Sequence, residues 1–171
     1  QHNARTLVGR LASRGISVTG VTKATLGSPE IAGALLGAGV NALGDSRIEN
    51  IASMRRAGVR APMSLIRSPM LSQAHLVVAH ADVSFNTELD VISKLSCAAQ
   101  KAGCQHDVVL MVELGDLREG IMPGELENTV RQLLRFPNII LRGIGTNLAC
   151  RSGASPDARN MSELSTLATS I

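Results

Sequence analysis

A chain of 171 residues, 44% hydrophobic and 18% charged, has the balance of one globular domain with a buried core rather than of a disordered tail. Two Phe and no Tyr or Trp leave the core to Leu, Val, Ile, Ala and Met, with no aromatic platform for stacking single-stranded nucleic acid. The net charge of +3 comes from seventeen scattered Lys and Arg rather than from a basic run, which argues against a nucleic-acid partner, and no apolar run nears the ~20 residues of a membrane span.

Six short apolar runs alternate with helical patterns. The runs are Ile16 to Val21, Ala42 to Gly44, Met63 to Ile66, Asp82 to Phe85, Val108 to Val112 and Ile139 to Ile144. Each has the near-continuous apolar character of a parallel strand buried on both faces. Helix starts are expected at Ser28-Pro29-Glu30 and Ser68-Pro69-Met70, where a serine N-cap precedes a proline suited to the first helical position. Leu89, Ile92, Leu95 and Ala99 share one helical face; Leu126, Val130, Leu133 and Leu134 share another. Pro123 opens the helix after the fifth strand, and Ser155-Pro156 opens one after the sixth. The sequence thus predicts an α/β chain of six βα units, with no linker dividing residues 1–171.

Two architectures repeat βα units in this way: the open doubly wound sheet and the eight-stranded TIM barrel. No GxGxxG follows the first strand, so the dinucleotide fold loses its main support. Polar residues instead stand at the carboxyl end of strand after strand, as at a barrel mouth: Lys23, Asp45 with Arg47, Arg67, Asn86, Glu113 with Arg118, and Thr146 with Asn147. Six units do not close a (β/α)8 barrel. With a chain that opens on Gln1 and stops at Ile171 within helical patterns, the expectation is a barrel truncated to about six units of a longer protein.

Lys23 ends an apolar run, which would direct its stem into the mouth, where burial favours the neutral amine that Schiff-base chemistry needs. The alternative is a strand-end lysine snorkelling to water. His75, His80 and His106 fall away from strand ends and read as structural. Cys97, Cys104 and Cys150 form no CxxC or metal spacing, an odd count that suits a reducing, cytoplasmic setting. Cys150 reads as a buried, unreactive thiol.

Four stretches carry a resemblance: Gly20-Val21-Thr22-Lys23-Ala24-Thr25-Leu26-Gly27, Gly44-Asp45-Ser46-Arg47-Ile48-Glu49-Asn50, then Val112 to Ile121, then Gly143 to Leu148. In order and spacing the chain resembles the predicted amino-acid racemases with an alanine-racemase-type barrel, ornithine racemases among them. The resemblance implies a fold-type III enzyme that binds pyridoxal 5'-phosphate and carries a second, β-rich domain. It implies that Lys23 forms the Schiff base with the cofactor and serves as one of two bases. It sets Arg118 near the cofactor's phenolic oxygen and the substrate carboxylate, and Asn147 where alanine racemases stack a histidine on the ring. Thr146 and Asn86 complete the expected cofactor set; Asp45, Arg47 and Glu113 are the expected substrate contacts. Asp45, Glu49, Glu113 and Asp116 are the carboxylates available for a distal ammonium.

The chain also departs from the pattern. Gly27 stands where alanine racemases have a phosphate-binding tyrosine, so phosphate anchoring is expected on strands seven and eight. No tyrosine is present to act as the second base, which alanine racemases take from a partner subunit. A homodimer follows as an expectation. The rival readings are a D-threonine-aldolase-like lyase on the same fold and a non-catalytic barrel of the pyridoxal-phosphate-homeostasis type.

Overall fold

A computed structural model describes residues 1–148 and 154–171; the expectation for Cys150 lies outside the described residues. Strands β1 (Thr19–Val21), β2 (Ala42–Asp45), β3 (Met63–Leu65), β4 (Val83–Asn86), β5 (His106–Val112) and β6 (Ile139–Thr146) alternate with helices. The helices are α1 (His2–Ala12), α2 (Pro29–Leu36), α3 (Ile48–Arg56), α4 (Ala74–His80), α5 (Leu89–Ala102), α6 (Leu126–Leu133) and α7 (Ala158–Ser170). All six expected strands form. They make one sheet in the order β1-β2-β3-β4-β5-β6, with every neighbouring pair parallel. A doubly wound sheet needs a reversal in strand order and this sheet has none, so the architecture is that of an unclosed barrel.

The helix starts follow local chemistry. The Ser28 hydroxyl accepts from the Ile31 N–H, and Pro29 opens α2 as expected. Ser68 does not cap a helix: its hydroxyl pairs with that of Thr87 at 3.2 Å, and a 3-10 turn at Leu71–Gln73 leads into α4 instead. At α7 the cap is Asp157 rather than Ser155, because Asp157 and Asn160 form a reciprocal capping box.

Strands β1, β3, β4 and β5 are buried on one face rather than both, while β2 is buried over Leu43, Gly44 and Asp45 in succession. On β5 the residues His106, Val108, Leu110 and Val112 are buried, while those between them are half-buried. Val108, Leu110 and Val112 pack on Ile92 of α5 and on Leu126, Val130 and Leu133 of α6. Leu43, Met63 and Leu65 pack on α3 through Ile48, Ile51 and Met54. Leu134, at the C-cap of α6, departs from its expected face and is exposed. The opposite face of the sheet is the barrel interior, and six strands do not enclose it. Val21 is accordingly 46% exposed.

Candidate active site

The turn that presents Lys23 is built on Thr22, which is fully buried at the end of β1. Thr22 donates its N–H to the Gly44 carbonyl at 2.8 Å and its hydroxyl to Asp45 Oδ2 at 2.8 Å. Its own carbonyl accepts from the N–H groups of Thr25 and Gly27, which curls Lys23–Thr25 into a single 3-10 turn. Gly27 then takes a φ of +68°, and a Cβ there would lie 2.8 Å from the Asn50 Cβ. The tyrosine that the resemblance sets at this position has no room. Lys23 itself is exposed, because the mouth beside β1 is open. The expected burial of its stem does not occur in this chain.

Arg118 rides on a loop folded by its own carboxylates. Glu113 Oε1 accepts from the N–H of Gly115 at 2.5 Å and of Leu117 at 3.1 Å. The loop closes where Ile121 exchanges backbone hydrogen bonds with Glu113 and Met111. Gly120 passes so near this base that a Cβ would sit 2.5 Å from the Glu113 nitrogen. Within the loop the Asp116 carboxylate is 2% exposed, accepts from Asn147 Nδ2 at 2.9 Å and lies 3.6 Å from Arg118 Nε. A carboxylate only accepts, so Asn147 must turn its amide nitrogen to Asp116 and keep its oxygen for other partners. Arg118 Nη2 donates to Glu119 Oε1 at 3.2 Å. Across from this loop, Thr146 donates its hydroxyl to the Val112 carbonyl at 2.9 Å, which leaves it acceptor capacity toward a ligand.

Lys23, Arg67, Arg118, Glu119, Thr146 and Asn147 line one cavity of about 270 Å³, with Phe85 and Met111 on its apolar wall. That volume is at the small end of ligand sites. Other expected site residues stand elsewhere. Asn86 is fully buried and donates to the carbonyl and hydroxyl of Ser84, because strand alternation turns it with Ser84 toward the helices while Phe85 faces the cavity. Asp45 is fully buried and its oxygens are spent on Thr22, the Arg47 N–H and Asn50, so it braces the Lys23 turn rather than meeting a substrate. Arg47 lines a neighbouring cavity of about 430 Å³ at the ends of β2 and β3, with Glu49; Arg67 and Ser68 are shared by the two. Glu113 folds the Arg118 loop and does not line the Lys23 cavity.

Sequence reasoning missed Phe85 and Met111, although the period of two along β4 and β5 marks both as inward. It also missed Glu119, hidden in the loop beside the more conspicuous arginine. His106 is away from the cavity: its Nε2 lies 2.8 Å from the Ser84 hydroxyl, and burial pushes its pKa down to about 4. Among the described residues no group of three or more His, Cys, Asp or Glu is placed to hold a metal ion.

A strand-end lysine facing an arginine across the mouth of parallel βα units accords with the comparison of the whole sequence with known families. Residues 1–171 match the family described as alanine racemase, N-terminal domain. The chain belongs to that family.

Among curated relatives, the chain is 36% identical over 91% of its length to the lysine racemase of Thermotoga maritima, spanning 43% of that protein. It is 37% identical over 77% of its length to the ornithine racemase of Acetoanaerobium sticklandii, spanning 37% of it. The chain thus covers less than half the length of either relative. Among solved structures, the fold matches alanine racemase of Clostridium difficile at TM-score 0.76 and 20% identity, covering 88% of this chain and 42% of that one. It matches PipY of Synechococcus elongatus with PLP bound at TM-score 0.80 and 16% identity, covering 98% of this chain and 81% of that one. These two likenesses bear on the fold, which is the alanine racemase barrel without closure.

Proposed function

We propose that the chain is the cofactor-carrying barrel of a pyridoxal-phosphate-dependent racemase that interconverts L- and D-amino acids, with lysine or ornithine as the substrate class. One observation carries the reading: in a member of this family, Lys23 at the end of the first strand opens onto a single cavity with Arg118, Thr146 and Asn147. The two curated relatives named for lysine and ornithine support the substrate class.

The residues present fit the cofactor. An exposed lysine amine is available to hold it covalently, and a guanidinium, an amide and a hydroxyl acceptor surround the same space. Pyridoxal phosphate, when bound, supplies the electron sink that makes a substrate Cα–H acidic. Lys23 Nζ would hold the cofactor and would remove or return the Cα proton on one face. Arg118 binds the substrate carboxylate through its planar fork, and Asp116 holds both Arg118 and Asn147 in orientation. No tyrosine stands in this sequence to serve the opposite face. We assign that proton transfer to a second copy of the protein in a homodimer whose added β-rich domain covers the mouth. Leu26 and Leu117, 75% and 86% exposed beside Lys23 and Arg118, support such a cover. The unpaired outer edges of β1 and β6 support closure by two further strands.

The test is covalent. Borohydride treatment of full-length protein with pyridoxal phosphate should fix the cofactor on the peptide containing Lys23, and chiral chromatography should find D-isomer formed from L-lysine or L-ornithine. An adduct on Lys94 or Lys101 instead, or no adduct, refutes the assignment. A second reading, a lone cofactor-holding barrel without turnover, is separated by the same pair of measurements. An adduct on Lys23 without any D-isomer would favour it.

A further inference from the structure

The Lys23 cavity has an uneven charge lining. Lys23, Arg67 and Arg118 bring three cations, which suit a phosphate and an α-carboxylate. Among the described residues, Glu119 is the one carboxylate that lines the same space. The other candidates for a distal ammonium are committed elsewhere: Asp45 to the Thr22 turn, Glu113 to the loop backbone, Asp116 to Asn147 and Arg118, and Glu49 to Gln73 Nε2 at 2.7 Å on the neighbouring cavity. A cationic side chain entering this cavity meets repulsion except at Glu119.

Gly120, which follows Glu119, is pressed against the Glu113 backbone with no space for a side chain. The Glu119 side chain is 27% exposed and its carboxylate rests on Arg118 Nη2. We propose that Glu119 is the residue that receives the distal ammonium of a diamino-acid substrate, by exchange of ion pairs. The substrate carboxylate takes the Arg118 fork that Glu119 holds, and the displaced Glu119 carboxylate pairs with the ammonium that arrives on the same molecule. Two opposite charges enter and two pairs replace one. A neutral amino acid brings only the carboxylate, which must compete with Glu119 for Arg118 and leaves Glu119 without a new partner. The preference for diamino acids is thus built into adjacent residues. This inference rests on the racemase reading above.

The experiment compares lysine with norleucine, which has the same carbon chain without the distal ammonium, on the full-length protein loaded with pyridoxal phosphate. Dissociation constants come from the absorbance change of the bound cofactor, and kcat/KM from chiral chromatography. In the parent lysine should bind more tightly than norleucine. In Glu119→Gln the lysine-to-norleucine ratio should fall by ~10- to 100-fold, the range for loss of a charge-assisted contact. Glu119→Asp should keep part of the preference, and it guards against a glutamine variant that does not fold. A ratio that does not move overturns the proposal, whether both ligands weaken together, as a purely structural hold on Arg118 would cause, or neither does. If the parent turns over no amino acid, the racemase reading fails while the binding ratio still decides the role of Glu119.

Discussion

His106 gives the fold a defined weakness to acid. It starts β5 at 2% exposure, against Ser84 in the layer between sheet and helices, and burial lowers its pKa from 6.5 to about 4 even though Asp107 and Asp82 pull the other way. A histidine kept neutral by the native state costs stability wherever the unfolded chain takes up a proton and the native chain does not. The native state therefore keeps its full stability above pH 6.5, loses ~1.4 kcal/mol per pH unit as the pH falls below that, and stops losing near pH 4. The whole window is worth about 3 kcal/mol, and the part between pH 6.5 and 5 about 2 kcal/mol. Carboxylates titrate in the same range, so the measurement is a difference: urea unfolding of the parent and of His106→Gln at pH 7, 6, 5.5 and 5. The glutamine carries no titrating proton and keeps a group able to bond Ser84. The free-energy gap between the two proteins should shift by about 2 kcal/mol in favour of the variant as the pH falls from 6.5 to 5. A gap that stays constant would mean that His106 is protonated inside the fold, and the burial argument would fail.

Arg118→Ala should lower kcat/KM for lysine by about 10²-fold or more, the usual cost of one charge-stabilising donor, and Arg118→Lys should recover only part of it because the planar fork is lost; parent-like turnover in the alanine variant would return Arg118 to the surface. Gly120→Ala puts a Cβ against the Glu113 backbone nitrogen, which cannot yield as a side-chain tip does. It should lower stability by ~1–3 kcal/mol in urea unfolding and raise the KM for lysine as the Arg118 loop shifts, whereas an unchanged urea midpoint would show that the loop base has slack.

The sheet was legible because parallel strands announce themselves as apolar runs bounded by turn residues, and all six runs became strands within a few residues of their expected ends. The barrel rather than the doubly wound sheet followed from the missing glycine fingerprint and the polar strand ends. Helix starts were legible only where the capping group had no better partner. Ser28 caps α2, but Ser68 has Thr87 across from it at the end of β4, and that contact between distant segments leaves no trace in local sequence.

The site was legible in its residue types more than in their duties. A polar residue at a strand end either follows the inward face to the mouth or sits one step off, beneath the helices, and a single position decides which. Phe85 and Asn86 make the point: the apolar residue lines the cavity and the polar one is buried behind it. Asp45, Glu113 and Asp116 illustrate a second limit. Each looks like a ligand group in the sequence, and each is consumed in holding the segment that presents another residue: Thr22 beside Lys23, the loop under Arg118, the Asn147 amide. A carboxylate with two or three donors already satisfied has little left to offer a substrate, so exposure to the cavity, more than residue type, separates a candidate ligand group from a bracing one. On that ground the proposed roles fall to Lys23 and Arg118, which line one cavity, and to Glu119, the one carboxylate among the described residues that lines it with them.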